Sequence, residues 1–264
     1  MKQRAVLCPR CRQIIGSDET RCSWCGASRA NPVWALFGGD ATWISGSILT
    51  INVLFFALSL LLSTRVDRVH GLLTPGQNSL LLLGASGSFP IDQYGRYWTL
   101  VSANYLHGGI LHLLFNLMAF RQLAPWVVHE YGNSRMLNIY TLGGVAGYLV
   151  SYLAGVPFTV GASAALCSLI GALLFYGKSR GGSYGGMVYR EIGGWAISIF
   201  VFGLLVPGIN NWAHGGGVVA GVLLGALFGY NEKRAQGTFD YLLALGCGLM
   251  TIGILAWALW GARL

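Results

Sequence analysis

Residues 213–229 read AHGGGVVAGVLLGALFG. A histidine opens an otherwise apolar run, and Gly217, Gly221, Gly225 and Gly229 follow it at steps of three, four, four and four. Such steps fall on one helical face. The run is therefore a helix with a glycine strip below His214, the small-xxx-small pattern by which two membrane helices meet backbone to backbone. A second apolar run opens Gly161-Ala162-Ser163-Ala164-Ala165 and offers Gly161, Ala165, Ser168 and Gly171 as a matching thin surface. Close approach of the two runs would bring His214 within hydrogen-bond reach of Ser163. An imidazole in a span nearly devoid of other ionisable groups is costly there and usually functional. Serine and histidine together are the minimum needed for nucleophilic acyl transfer.

Composition places the chain in the membrane class. Of 264 residues, 54% are hydrophobic and 10% charged, against roughly 25% charged in soluble domains. That is too little charge to cover a soluble surface of this size. The apolar runs predict seven spans near 43–62, 109–127, 137–155, 162–177, 193–207, 213–229 and 241–260. The fourth and fifth are shorter than the roughly 20 residues of a full crossing. About forty mostly polar residues precede the first run, so no cleavable signal peptide is expected at the start of this sequence. The predicted fold is an all-α polytopic bundle with a small soluble module in front.

The net charge of +8 follows topology and is not a nucleic-acid footprint. Lys2, Arg4, Arg10, Arg12, Arg21 and Arg29 precede the first span. With that end cytoplasmic, Arg121, Arg135, Lys178, Arg180, Arg190, Lys233 and Arg234 also fall at cytoplasmic span ends. Arg65, Arg68, Arg96 and Arg263 remain outside, a split of 13 to 4 for a cytoplasmic N-terminus. Spans two, four and six then all enter from the non-cytoplasmic side. His112 and Asn116 lie in the first turns of span two, Ser163 starts span four and His214 starts span six. All four reach the same depth, a few residues below the outer surface.

The N-terminal segment carries Cys8-Pro9-Arg10-Cys11 and Cys22-Ser23-Trp24-Cys25, two CxxC knuckles ten residues apart. Two thiolate pairs at this spacing fit a tetrahedral structural zinc, and a cytoplasmic setting argues against disulfides. So short a segment folds only if metal binding contributes the energy. The module reads as an anchored knob; recruitment of a cytoplasmic partner is the second reading.

Leu111-His112-Leu113-Leu114-Phe115-Asn116, Gly161-Ala162-Ser163-Ala164 and Ala213-His214 with Gly217 and Gly221 resemble, in order, the HxxxN, GxSx and AHxxGxxxG elements of the rhomboid intramembrane serine proteases. The resemblance covers roughly residues 95–230. It implies a rhomboid-like six-helix bundle over 43–230; the apolar runs and the cysteine spacing add a seventh transmembrane helix in 231–264, a zinc ribbon in 1–30 and a linker in 31–42. The resemblance also implies a Ser163–His214 dyad, oxyanion donors from His112, Asn116 and the Ser163 N–H, and no cofactor for catalysis. The substrate would be another transmembrane segment cleaved near its outer end, within the lipid bilayer of a prokaryotic inner membrane. His107 also matches a histidine often seen in the family's first loop. Three positions depart from the family pattern. Trp98 is followed by Thr99 where arginine is frequent, Ala164 follows the serine where glycine is common, and Cys167 stands where a tyrosine often packs on the histidine. The alternative function is a catalytically silent rhomboid-like protein that binds membrane clients. A metal-dependent hydrolase using His107, His112 and His214 would need carboxylates near those histidines, and the sequence holds no HExxH.

Overall fold

The computed structural model describes residues 5–8, 13–16, 19–24, 42–66 and 73–262. An antiparallel hairpin of β1 (Ala5–Leu7) and β2 (Ile14–Gly16) belongs to the N-terminal module. The linker expected over 31–42 lies almost wholly outside the described residues. The helices are α1 (Thr42–Val66), α2 (Gln77–Leu82), α3 (Ser88–Tyr94), α4 (Thr99–Ser102), α5 (Ile110–Tyr131), α6 (Asn133–Leu153), α7 (Ser163–Arg180), α8 (Gly182–Leu205), α9 (Asn211–Phe228) and α10 (Thr238–Gly261). The short α2, α3 and α4 build the long first loop between α1 and α5.

Six of these helices are long and apolar enough to cross a membrane: α1, α5, α6, α8, α9 and α10. The chain is an integral multi-pass membrane protein. The expected fourth span, α7, is the exception, and its position explains why. Every side chain from Ala164 to Leu173 is buried, so α7 is solvated by protein rather than lipid. A helix enclosed by other helices has no need of the hydropathy that bilayer contact demands, and α7 ends on Lys178 and Arg180.

The seam between α7 and α9 brings the two backbones into contact. A methyl group added at Gly217 would run into the Ala164 carbonyl, and one at Gly221 into the Ser168 carbonyl. From the other side, one at Gly171 would meet the Val218 carbonyl. Ser168 Oγ turns away from this seam and donates towards Ile139 O on α6 (2.8 Å) and Ala165 O in its own helix (2.7 Å). Backbone-to-backbone contact of this kind replaces the hydrophobic drive that is missing between helices in lipid.

One expectation is corrected. Span five starts at Gly182 rather than 193. Gly185 lies against the α7 backbone, where an added Cβ would sit 2.8 Å from Gly177 O. Tyr184 Oη donates to Glu130 Oε1 at the end of α5 (2.9 Å). These tertiary contacts hold helical a polar, glycine-rich stretch that sequence alone assigns to a loop. Arg135, counted above as a positive charge at a cytoplasmic span end, is 0% exposed and paired with Asp240 of α10.

Candidate active site

The starts of α5, α7 and α9 converge at one end of the bundle. His214 Nε2 lies 2.9 Å from Ser163 Oγ. The histidine is 7% exposed, and its Nδ1 has no hydrogen-bond partner among the described residues. The geometry thus presents a Ser–His contact in which, among the described residues, no carboxylate bonds the histidine.

The first turn of α9 is fixed by Asn210, its N-cap. Asn210 Oδ1 accepts the Ala213 N–H (3.1 Å), satisfying an end-of-helix donor. Its Nδ2 donates to Ser151 Oγ on α6 (2.6 Å) and to Thr159 Oγ1 in the segment leading to Ser163 (3.0 Å). Thr159 in turn exchanges backbone hydrogen bonds with Ser86 of the first loop (2.8 and 3.0 Å). One side chain therefore ties the helix of the histidine to the approach of the serine.

Gly161 was expected in the α7 packing face. It lies instead ahead of the helix with φ +134°, a conformation that favours glycine. Its N–H donates to Ala103 O (2.9 Å), and its carbonyl accepts from Tyr148 Oη. A Cβ at this point would stand 2.7 Å from the His112 ring. The glycine thus makes room for His112 beside Ser163. Asn116, one turn on, donates from Nδ2 to His112 O (2.8 Å).

His107 is fully buried with its ring edge-on to His112, centroids 5.1 Å apart. Neither ring nitrogen has a partner among the described residues. Burial, and secondarily the neighbouring His112, holds its pKa well below the usual imidazole value, so His107 is a neutral packing wall for His112. Cys167 faces Gly217 across the α7–α9 seam, where an added Cβ would lie 3.1 Å from Cys167 Cβ. Two residues upstream of Trp98, Arg96 Nη1 donates to Leu81 O (3.1 Å).

The structure thus brings Ser163, His214 and His112 together, with Asn116 one turn along the helix from His112, and puts Gly217 and Gly221 in the seam between α7 and α9. It gathers no group of three or more His, Cys, Asp or Glu suited to a metal among the described residues. Of the four N-terminal cysteines, Cys8 and Cys22 are described and buried, whereas Cys11 and Cys25 lie outside the described residues. Sequence reading missed Asn210 and Tyr148. An asparagine just ahead of an apolar helical run is a helix-start signal, so Asn210 was findable; nothing local marks Tyr148.

A multi-span helical bundle that encloses a serine and a histidine at bonding distance below one face defines a class of polytopic membrane protein. A rhomboid domain matches residues 94–231, and the chain belongs to the rhomboid family. Rhomboid protease GluP of Bacillus subtilis (strain 168) is 32% identical over 213 residues, covering 78% of this chain and 41% of that protein. RHOMBOID-like protein 5 of Arabidopsis thaliana is 34% identical over 170 residues, 62% of this chain and 54% of the relative. Rhomboid-like protease 5 of Toxoplasma gondii is 31% identical over 160 residues, 58% of this chain and 18% of the relative. The chain spans about half the length, or less, of these curated relatives.

Proposed function

We propose that the protein is an intramembrane serine endopeptidase that cuts transmembrane substrates near the outer membrane face with a Ser163–His214 dyad. The observation that carries the reading is the 2.9 Å contact between His214 Nε2 and Ser163 Oγ. The Ser163 hydroxyl donates to Nε2, which leaves the ring proton on Nδ1. As Oγ bonds to the scissile carbonyl carbon, its proton passes to Nε2 and the carbonyl oxygen becomes an oxyanion. Collapse of that intermediate breaks the C–N bond, and the imidazolium returns the proton to the leaving amine. Water then hydrolyses the acyl-enzyme with the same histidine as base.

The oxyanion donors in this reading are the second Asn116 amide N–H, the His112 ring and the Ser163 N–H. The last opens α7 and has no carbonyl of its own helix to bond. Substrate helices expose a scissile carbonyl only after local unwinding, which favours segments with small or helix-breaking residues near the interface. Phe115, Phe200 and Phe202 are exposed and Trp195 is half-buried; lateral entry would pass between α5 and α8, though the α8 aromatics also suit plain lipid contact. Labelling of the detergent-solubilised protein by a fluorophosphonate serine probe tests the dyad. Wild type is expected to label and Ser163→Ala and His214→Ala are not; a folded wild type that stays unlabelled leaves client binding as the function.

For the N-terminal module we infer a structural zinc held by Cys8, Cys11, Cys22 and Cys25. The β1–β2 hairpin closes with the Cys8 N–H donating to Gln13 O (2.8 Å), and the Trp24 N–H donates to Cys22 Sγ (3.4 Å). A sulfur accepting a backbone N–H suits a thiolate ligand. Zinc would supply folding energy only, outside the catalytic chemistry. The division into a 1–30 module, a 31–42 linker, a 43–230 core and a 231–264 tail remains our reading, with the N-terminus in the cytoplasm of a prokaryote and the module open to a cytoplasmic partner. Elemental analysis should give one zinc per chain, lost in Cys8→Ser. Protease should reach the module only in inverted membrane vesicles, and cleavage in right-side-out vesicles would reverse the topology.

A further inference from the structure

Where the first loop meets the end of α10, a half-open cleft of about 260 Å³ is lined by Leu82, Arg96, Trp98, Trp257, Ala258 and Gly261. We propose that it binds the phosphodiester headgroup of a membrane phospholipid.

Position is the first argument. α10 is one of the membrane-crossing helices, and Trp257 to Gly261 are its last turn, so the cleft opens where hydrocarbon gives way to headgroups. Trp257 and Trp260 stack edge to face with centroids 5.5 Å apart, and both are more than half exposed. Indoles in that layer place an apolar face against acyl chains and a donor towards the headgroups. Charge is the second argument. Arg96 bonds the Leu81 carbonyl through Nη1 and lies 5.1 Å over the Tyr94 ring, but it has no carboxylate within ion-pair distance among the described residues. Asp92, the acid on the same loop, instead accepts from Tyr152 Oη (2.9 Å). A half-buried guanidinium with donors to spare, in a cleft that the Trp98 and Trp257 indoles also line, offers its planar fork to the two free oxygens of a phosphate diester. The headgroup would bridge the first loop and the end of α10, which meet at this cleft.

Thermal melting in dodecyl maltoside with added phosphatidylglycerol tests the site. Wild type should show a saturable rise in melting temperature. Arg96→Gln should lose more than about half of that rise, and Arg96→Lys should keep part of it. Because Arg96 also bonds Leu81, Trp257→Ala is the second probe; it leaves that bond intact and should also blunt the rise. Inorganic phosphate at equal concentration should give none. Equal shifts in wild type and both variants would overturn the proposal, as would a phosphate effect matching that of the lipid, which would mark a free-anion site.

Discussion

His214→Ala is expected to lower the rate of cleavage of a transmembrane reporter by at least ~10³-fold while leaving the melting temperature close to that of wild type. The stability half of this expectation comes from the surroundings of the ring. Nδ1 has no partner among the described residues and Nε2 contacts only Ser163 Oγ, so removing the imidazole orphans no other buried group. The helices around it are held elsewhere, by the Gly217 and Gly221 seam and by the Asn210 cap. The activity half comes from the chemistry: without a base the hydroxyl proton has nowhere to go as Oγ attacks. Ser163→Ala should be at least as severe. Asn116→Ala should fall between, by about 10²-fold in kcat, the range for losing one oxyanion donor. Purified Ser163→Ala that still cleaved at the wild-type rate would end the dyad reading. A large drop in melting temperature with His214→Ala would make the histidine a packing residue instead.

Asp240→Ala is expected to destabilise the fold by about 3–5 kcal/mol, because it strands a buried cation. Arg135 uses all five of its N–H donors. Nε and Nη2 grip the two Asp240 oxygens (3.1 and 3.0 Å), Nη1 reaches Gly229 O (3.0 Å) and Arg234 O (2.8 Å), and Nη2 also reaches Ala235 O (3.1 Å). Asp240 Oδ2 further accepts the Gly237 N–H (2.7 Å), capping α10, while Asn138 Nδ2 donates to Asp240 O (3.0 Å). Next to this, Ser134 Oγ donates to Gln236 Oε1. The network staples the 229–237 connection and the start of α10 onto α6. Asp240→Ala removes the anion and leaves the guanidinium enclosed, whereas the double replacement Arg135→Met with Asp240→Leu removes both charges and should cost much less. Unfolding in mixed micelles reads the difference. If Asp240→Ala unfolds with the wild type, the pair contributes nothing net.

The same pair shows where sequence reading stops. Arg135 at a span end looks like one more topogenic charge, and nothing within seven residues names its partner, which lies 105 positions away. Span five shows it again: Gly182 to Glu191 carries the polarity of a loop, and only contact with Gly177 and Glu130 makes it helix. Gly161 was assigned to a packing face by its spacing, but its φ and the nearby His112 ring give it another task. By contrast, the seam of Gly217 and Gly221, the approach of His214 to Ser163, and the multi-span class were legible from spacing and apolar runs. These are local or periodic properties, since a membrane requires each span to satisfy its own backbone and each small residue to sit at helical intervals. What only the tertiary structure decided were the pairings at long separation: Asn210 to Ser151 and Thr159, Arg135 to Asp240, and Arg96 against the end of α10. Such contacts depend on which helices become neighbours, and no local period in the chain records that.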